Sequence, residues 1–253
     1  PGVRGYSIKS IAESSNAFRY FEQIKKISLT EKNPEVISQL VSSISTLNES
    51  IKEQLLENLL LRDEFIEDPF IPLQIWWAME SMVSNDDSFI RELFTRSSTW
   101  NSKIISRFIL ERLMRRYAEE STSKSYSMCE FLLKNANDDN SKKILLKGFL
   151  EGLNGIGYGA LPDGLIEIFE VNKRILPIEL RIRIGDQSVI EETISQIKLG
   201  KVSKNEEVSI LSSLSLIKKP EIFNFFKTYL ERGAKKNIEV ILLSSLTNYA
   251  SDD

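Results

Sequence analysis

The sequence contains no histidine among its 253 residues. That absence removes Ser-His and Cys-His nucleophilic pairs, histidine-bearing zinc sites and the histidine of a c-type haem attachment motif. The single cysteine, Cys129, cannot close an internal disulfide. Its setting, SYSMCEFLL, places the thiol on an apolar helix with no imidazole to activate it, so it reads as a buried, inert side chain. Only 7 Pro and 11 Gly punctuate the chain, which argues for long helical runs joined by short polar turns. No apolar run approaches the ~18 uncharged residues of a membrane-spanning helix. Charge of neither sign dominates: a net charge of -3 and a pI near 5.4 give no basic field for a phosphate backbone.

What is present is ordinary for a globular chain, 42% hydrophobic and 27% charged, and the length admits one large core or two small ones. Apolar residues recur at helical spacing, as in Ile37, Leu40, Val41, Ile44 and Leu47, and again in Ile104, Ile105, Phe108, Ile109 and Leu113. The pattern predicts helices near 7–13, 15–26, 34–47, 49–66, 71–84, 86–96, 99–119, 122–135, 139–153, 163–172, 187–199, 204–217, 220–232 and 236–250. Pro34, Pro72 and Pro220 stand where a first turn tolerates a missing amide hydrogen, and NDDS before Phe89 and NDDNS before Ile144 supply capping acids. In LPIELRIRIGD, residues 176–186, Ile178, Leu180, Ile182 and Ile184 alternate as in a strand, yet no second strand is evident to pair with them. A short helix is expected there.

An internal echo supplies the architecture. EVSILSSL from Glu207 and EVILLSSL from Glu239 match at an offset of 32 residues, and EVISQLVSSI from Glu35 repeats the Ser-Ser core more faintly. A period in that range, two helices per unit and no aromatic blade motif point to stacked helical hairpins of the HEAT type, an all-α superhelix; an irregular helical bundle is the alternative. The stretch IPLQIWWAMESMV then acquires a meaning. Its apolar residues cover well over half of a helix, so Trp76 and Trp77 are expected to fill two different interfaces. Glu80 falls inside that apolar arc. A carboxylate there is expected to be mostly buried and paired with a cation or a helix amino terminus.

Three other stretches invite chemistry. GLNGIGYGALPDG, residues 152–164, is rich in glycine but lacks the Lys-Ser/Thr of a nucleotide loop and reads as a connection between helices. Lys103, Arg107, Arg112, Arg115 and Arg116 form a basic cluster that would suit an anionic partner, or a solvated face from which Arg112 or Arg116 reaches a carboxylate such as Glu80. The pairs Asp86-Asp87 and Asp138-Asp139 sit at helix starts, where capping explains them, and no carboxylate spacing matches a calcium loop.

Read in order, DPFIPLQIWWAME, RFILERLMRRYAEE, CEFLLKNA, LLKGFLEGLNG, ALPDGL and ELRIRIGD resemble the HEAT-repeat region of a bacterial family of large membrane-bound dehydrogenases. Those proteins carry a sorbosone/glucose-dehydrogenase-like β-propeller before the repeats and a c-type cytochrome domain after them. The resemblance runs from about Val3 to the end, and its most specific part is Ile71 to Glu80. It marks Trp76, Trp77, Glu80, Arg183 and Asp186 as a structural fingerprint. It implies that oxidation belongs to the propeller, with a quinone-type cofactor, and electron transfer to haem c, so no catalytic, cofactor or metal residue is carried over to this chain.

The resulting expectation is a single HEAT-like solenoid domain over 1–253, a piece of a larger protein that begins at Pro1 without Met or an apolar signal core. By itself it would be non-enzymatic, a scaffold spacing a propeller dehydrogenase and a cytochrome domain in the cell envelope, periplasm or secreted fraction. Its partners would be those domains, or a protein on the concave face, with no nucleic acid and no transmembrane segment. A stand-alone module binding a protein or peptide is the alternative; a helical-repeat enzyme acting on nucleic acid through the 103–116 cluster is a third class, opposed by the acidic pI.

Overall fold

In the computed structural model of the chain, the described residues are 1–14, 17–83, 87–153, 161–233 and 235–250. Among them every regular element is helical and there is no strand. The α-helices are α1 (Gly2–Ala12), α2 (Phe21–Thr30), α3 (Pro34–Ser43), α4 (Glu49–Leu60), α5 (Ile71–Val83), α6 (Ser88–Phe94), α7 (Ser97–Asn101), α8 (Leu110–Glu120), α9 (Ser123–Asn135), α10 (Asp139–Gly152), α11 (Asp163–Val171), α12 (Ile178–Arg183), α13 (Gln187–Lys198), α14 (Lys204–Leu214), α15 (Pro220–Glu231) and α16 (Lys236–Ala250). The chain divides into two compact units, Pro1–Gly152 and Leu153–Asp253.

Local chemistry sets most boundaries. Asn33 accepts the amide hydrogen of Val36 with Pro34 at the first position of α3, and Asn48 does the same for Ile51 at α4. Thr122 and Ser203 head capping boxes on α9 and α14. Asp138 Oδ1 accepts from the Ser141 amide at 2.6 Å, as the NDDNS motif implies. The alternating 176–186 segment forms the short helix α12: Leu180 and Ile182 bury while Ile178 is 41% exposed, and among the described residues there is no strand to pair its backbone.

Four expected helices differ, among them the run over 49–66, which ends at Leu60 and is followed by a separate 3-10 turn at Asp63–Phe65. The run predicted over 99–119 is broken: α7 ends at Asn101, and a π-helical turn, Ile105–Ile109, leads into α8. Two caps meet at the restart: Ser102 Oγ accepts from the Ile105 amide at 3.3 Å, and Asp63 Oδ1, from 40 residues away, accepts from the amides of Lys103 and Ile104. The helix expected over 15–26 is α2, beginning only at Phe21, while α1 starts at Gly2 rather than residue 7.

In the first unit α3 packs between α1 and α5, α2 packs on α4, and α9 lies beside α8 and α10. Within α1–α5, and again between α8 and α10, helices two apart in sequence pack on one another. The closest approach is between α8 and α10, where Gly148 and Gly152 stand one helical turn apart. A Cβ at Gly148 would meet the Glu111 carbonyl carbon at 2.9 Å, and one at Gly152 would meet the Ala118 Cβ at 2.6 Å. Gly152 thus belongs to a packed helix, and Gly164 to α11, rather than to a loose connection; the central part of the glycine-rich stretch, 154–160, lies outside the described residues.

In the second unit α14 packs between α12 and α16, with α13 beside α12 and α14 and α15 against α16. Its core joins Ile182, Ile190, Leu211, Leu214, Phe226 and Leu242. The Ser-Ser echo has a common structural role in both units. The second serine of each copy, Ser43, Ser213 and Ser245, is buried on a stacked helix at 6%, 1% and 3% exposure, whereas its predecessors Ser42 and Ser244 face outward. A small side chain is what fits where two helices approach.

Candidate functional site

The double-tryptophan helix begins with Asp68, whose Oδ1 accepts the amide hydrogens of Phe70 and Ile71 at 2.9 Å and anchors the start of α5. From there the 100° step between neighbours separates the two indoles. Trp76 is buried at 6%, while Trp77 is 60% exposed. The expectation that both fill interfaces is therefore corrected: α5 is covered by α3 and α4 and by the π-turn, and position 77 is on the face those neighbours leave open. Leu73, one turn earlier, is half-buried beside it, and Phe70 is 66% exposed, so the segment shows an apolar stripe outward.

Glu80 lies one turn from Trp77 and is half-buried. Among the described residues its carboxylate has no ion-pair or hydrogen-bond partner. The pairing expected from the helical wheel is thus overturned, while the burial expected there is partly met: Glu80 is half-buried beside the exposed Trp77. Gln74, on the other flank of Trp77, reaches Ser42 of α3 at 3.4 Å.

The basic cluster is largely occupied. Arg107 bridges to Glu67 at 2.7 Å, Arg115 to Glu119 at 3.4 Å and Arg116 to Glu120 at 3.0 Å. Arg112 donates to the Phe108 carbonyl at 2.9 Å and lies over the Phe108 ring, so neither it nor Arg116 reaches Glu80. Asp87 has a different role from capping. Its carboxylate is 9% exposed, accepts from the Tyr117 hydroxyl at 2.9 Å and pairs with Lys124 at 3.1 Å, tying α6 to α8 and α9. Burial, then the Asp87 hydrogen bond, pushes the Tyr117 phenol far up. Asp86 lies outside the described residues. The Cys129 thiol is fully buried in α9, and burial pushes its ionisation up as well.

In the second unit a cleft of about 560 Å³ opens between α12, α13 and α14. Leu176, Val189 and Ile210 form its apolar floor, and Glu179, Glu192, Glu206 and Lys201 stand around it. Val189, Glu192, Thr193 and Gln196 enter it from one face of α13, at helical spacing. Thr193 is buried to 2% exposure, and among the described residues its Oγ1 has no hydrogen-bond partner.

Three of the other polar groups at the cleft, Arg181, Glu179 and Glu206, are engaged with neighbours. Arg181 donates from Nε and Nη2 to Asp186 Oδ2 at 3.0 and 2.8 Å, and Ser188 donates to Asp186 Oδ1 at 2.8 Å. The Ser188 hydroxyl, then Arg181, hold the Asp186 carboxyl at about 2. Asp186 thus pairs with Arg181 at the turn between α12 and α13, and Arg183 is half-buried on α12. Glu206 accepts from the Ser203 hydroxyl and amide within its capping box, which lowers its ionisation, and Glu179 accepts from Ser209 at 2.9 Å.

Sequence reasoning passed over Thr193 and its acidic neighbours. The available signal was a threonine among apolar positions on α13, with Glu192 beside it. Among the described residues no group of three or more His, Cys, Asp or Glu side chains is arranged to hold a metal, and no helix is long and apolar enough to cross a membrane. Compared with known proteins, the chain matches no family model, no curated protein and no solved structure.

Proposed function

We propose that the chain is a non-catalytic helical-repeat protein of the HEAT type whose work is to bind or space other proteins. The observation that carries this reading is the shared position of Ser43, Ser213 and Ser245: a motif repeated in the sequence is buried at the same place on α3, α14 and α16. Hydrogen bonds at similar separations support it. Thr46 donates to the Ala12 carbonyl across 34 residues, Arg62 to the Ser28 carbonyl across 34, and Ser245 to the Ser215 carbonyl across 30. Repeat proteins of this kind join neighbours through such interfaces and expose one layer of helices to partners.

Within this reading the exposed Trp77 stripe is a partner contact, since large exposed aromatics concentrate interface energy. Photo-crosslinking from position 77, followed by affinity measurement on the captured polypeptide, tests it. Loss of affinity on Trp77→Ala, with unchanged melting, is the expected result. A captured partner that binds the Trp77→Ala protein equally well removes the stripe from the interface.

The narrower form of the proposal, a spacer between a propeller dehydrogenase and a c-type cytochrome domain at the cell envelope, rests on the resemblance of residues 71–80. It expects a propeller-coding sequence upstream in the native reading frame and a CxxCH motif downstream. A frame without either leaves the general binding role and removes the dehydrogenase.

A further inference from the structure

The three copies of the Ser-Ser echo have different surroundings, and the difference isolates one face of α16. Aligned on the serines, Val41 of α3, Leu211 of α14 and Leu243 of α16 hold the same position, just before the first serine. Val41 is 2% exposed and Leu211 is fully buried, whereas Leu243 is 48% exposed. Val208 is half-buried on α14, but its counterpart on α16, Val240, is 63% exposed. Ser212 and Ser215 are half-buried, and Ser244 and Thr247, which stand in their places, are exposed. Val240, Leu243, Ser244 and Thr247 follow the i, i+3, i+4, i+7 spacing of a single helical face, with no charge among them.

In the two covered copies the structure shows what lies on that face. On α3 it is α5, whose Gln74 donates to Ser42 Oγ at 3.4 Å; on α14 it is α16, whose Ser245 donates to the Ser215 carbonyl at 3.0 Å. Each cover is a helix two places further along the chain. The side of α16 turned to its own neighbours carries Ile238, Leu242 and Ser245, all buried, at the i, i+4, i+7 spacing and opposite Leu243. That inward pattern is the chemistry that already covers this face once in the molecule.

We propose that the outward face of α16 is a docking surface for an amphipathic helix of a partner protein that carries the same inward pattern: an aliphatic residue, a second four positions on, and a small hydroxyl residue three beyond it. The aliphatic pair removes Val240 and Leu243 from water, and the small residue lets the two backbones approach, as buried Ser43 and Ser245 do within the chain. The proposal deepens the reading of the chain as a helical-repeat binding protein and rests on it.

The test uses the whole chain and a fluorescein-labelled peptide of residues 236–250, the α16 sequence itself, read by anisotropy. Saturable binding is expected. Leu243→Asp in the protein should weaken it on the order of tenfold or more, with the melting temperature unchanged because the side chain is half exposed. The peptide reads the register of the contact. Leu242→Asp in the peptide, at its inward position, should abolish binding, while Leu243→Asp in the peptide, on its far side, should change affinity by less than about twofold. No saturable binding, indifference to Leu243→Asp in the protein, or equal loss from both peptide changes overturns the assignment. Concentration-dependent dimerisation of the chain alone in sedimentation, abolished by Leu243→Asp, overturns the choice of a partner helix in favour of a second copy. Because the crosslink at position 77 reports on the other unit, a negative peptide result with an intact position-77 partner rejects the α16 face and leaves the interaction role standing.

Discussion

Replacing Gly148 by alanine places the smallest side chain at the tightest helix contact. An added Cβ would stand 2.9 Å from the Glu111 carbonyl carbon and 3.0 Å from its Cα, with the carbonyl oxygen nearer still. Ordinary carbon contacts lie at about 3.5–4.0 Å, so α8 and α10 must separate by roughly 0.6–1 Å. The obstacle is backbone, which cannot rotate away as a side chain does. Overpacking of this kind costs at the upper end of its usual range, about 3 kcal/mol, against a gain of about 1 kcal/mol from replacing a helical glycine. A net loss of about 2 kcal/mol follows, equivalent to roughly 4–8 °C in melting temperature for a unit of this size. All 3 tryptophans lie in the Pro1–Gly152 unit, so tryptophan emission during urea titration reports on it selectively. Gly5→Ala is the matched control: its Cβ would meet only Gln39 side-chain atoms at 3.7 Å, and it should stabilise α1 by up to about 1 kcal/mol. A Gly148→Ala protein as stable as Gly5→Ala would refute the reasoning, because the propensity gain would then have outweighed a contact that does not exist.

Glu80→Ala should change stability by less than about 0.5 kcal/mol, since the carboxylate is half-buried and has no partner among the described residues; a loss of several kcal/mol in urea would restore a buried pair. Tyr117→Phe strips the hydrogen bond from the Asp87 carboxylate and should cost about 1.5–3 kcal/mol, checked by the same titration. The folded-state ionisation of Asp186 is held near 2, below the ~3.9 of an unfolded chain, so its contribution is fully present above about pH 4 and is lost as pH falls through 2. After solvent screening that contribution is about 1 kcal/mol, and Asp186→Asn should flatten the acid limb measured by circular dichroism; an unchanged acid limb would exclude a contribution from the Asp186–Arg181 pair. Thr193→Val removes an unpartnered buried hydroxyl and should stabilise the second unit by about 1 kcal/mol in calorimetry, while a matching loss of stability would show that the hydroxyl is bonded.

The exposure of Trp77 and the missing partner of Glu80 show where the reading of a helix from sequence stops. Periodicity gives the faces of α5 and their hydrophobicity, but it does not give how many neighbours the helix has. Two interfaces were inferred from an apolar arc, and an apolar side chain exposed to a partner leaves the same pattern as one buried in a core. The break between α7 and α8 has a related cause. Ser102 caps the restart locally, but its helix start is completed by Asp63 from a distance of 40 residues, a contact that periodicity around Ser102 does not show.

By itself the sequence determined the all-helical class, the proline starts of α3 and α15, the capped start of α10, and the Ser-Ser echo. These depend on propensity, capping and period, which act over one or two turns. Tertiary structure alone decided the division at Gly152, the need for glycine at 148, the partners of Asp87 and Asp186, and the cleft around Thr193. Each of those depends on which distant backbone or charge arrives at a given side chain, and that is set by how helices pack, not by the order of residues within any one of them.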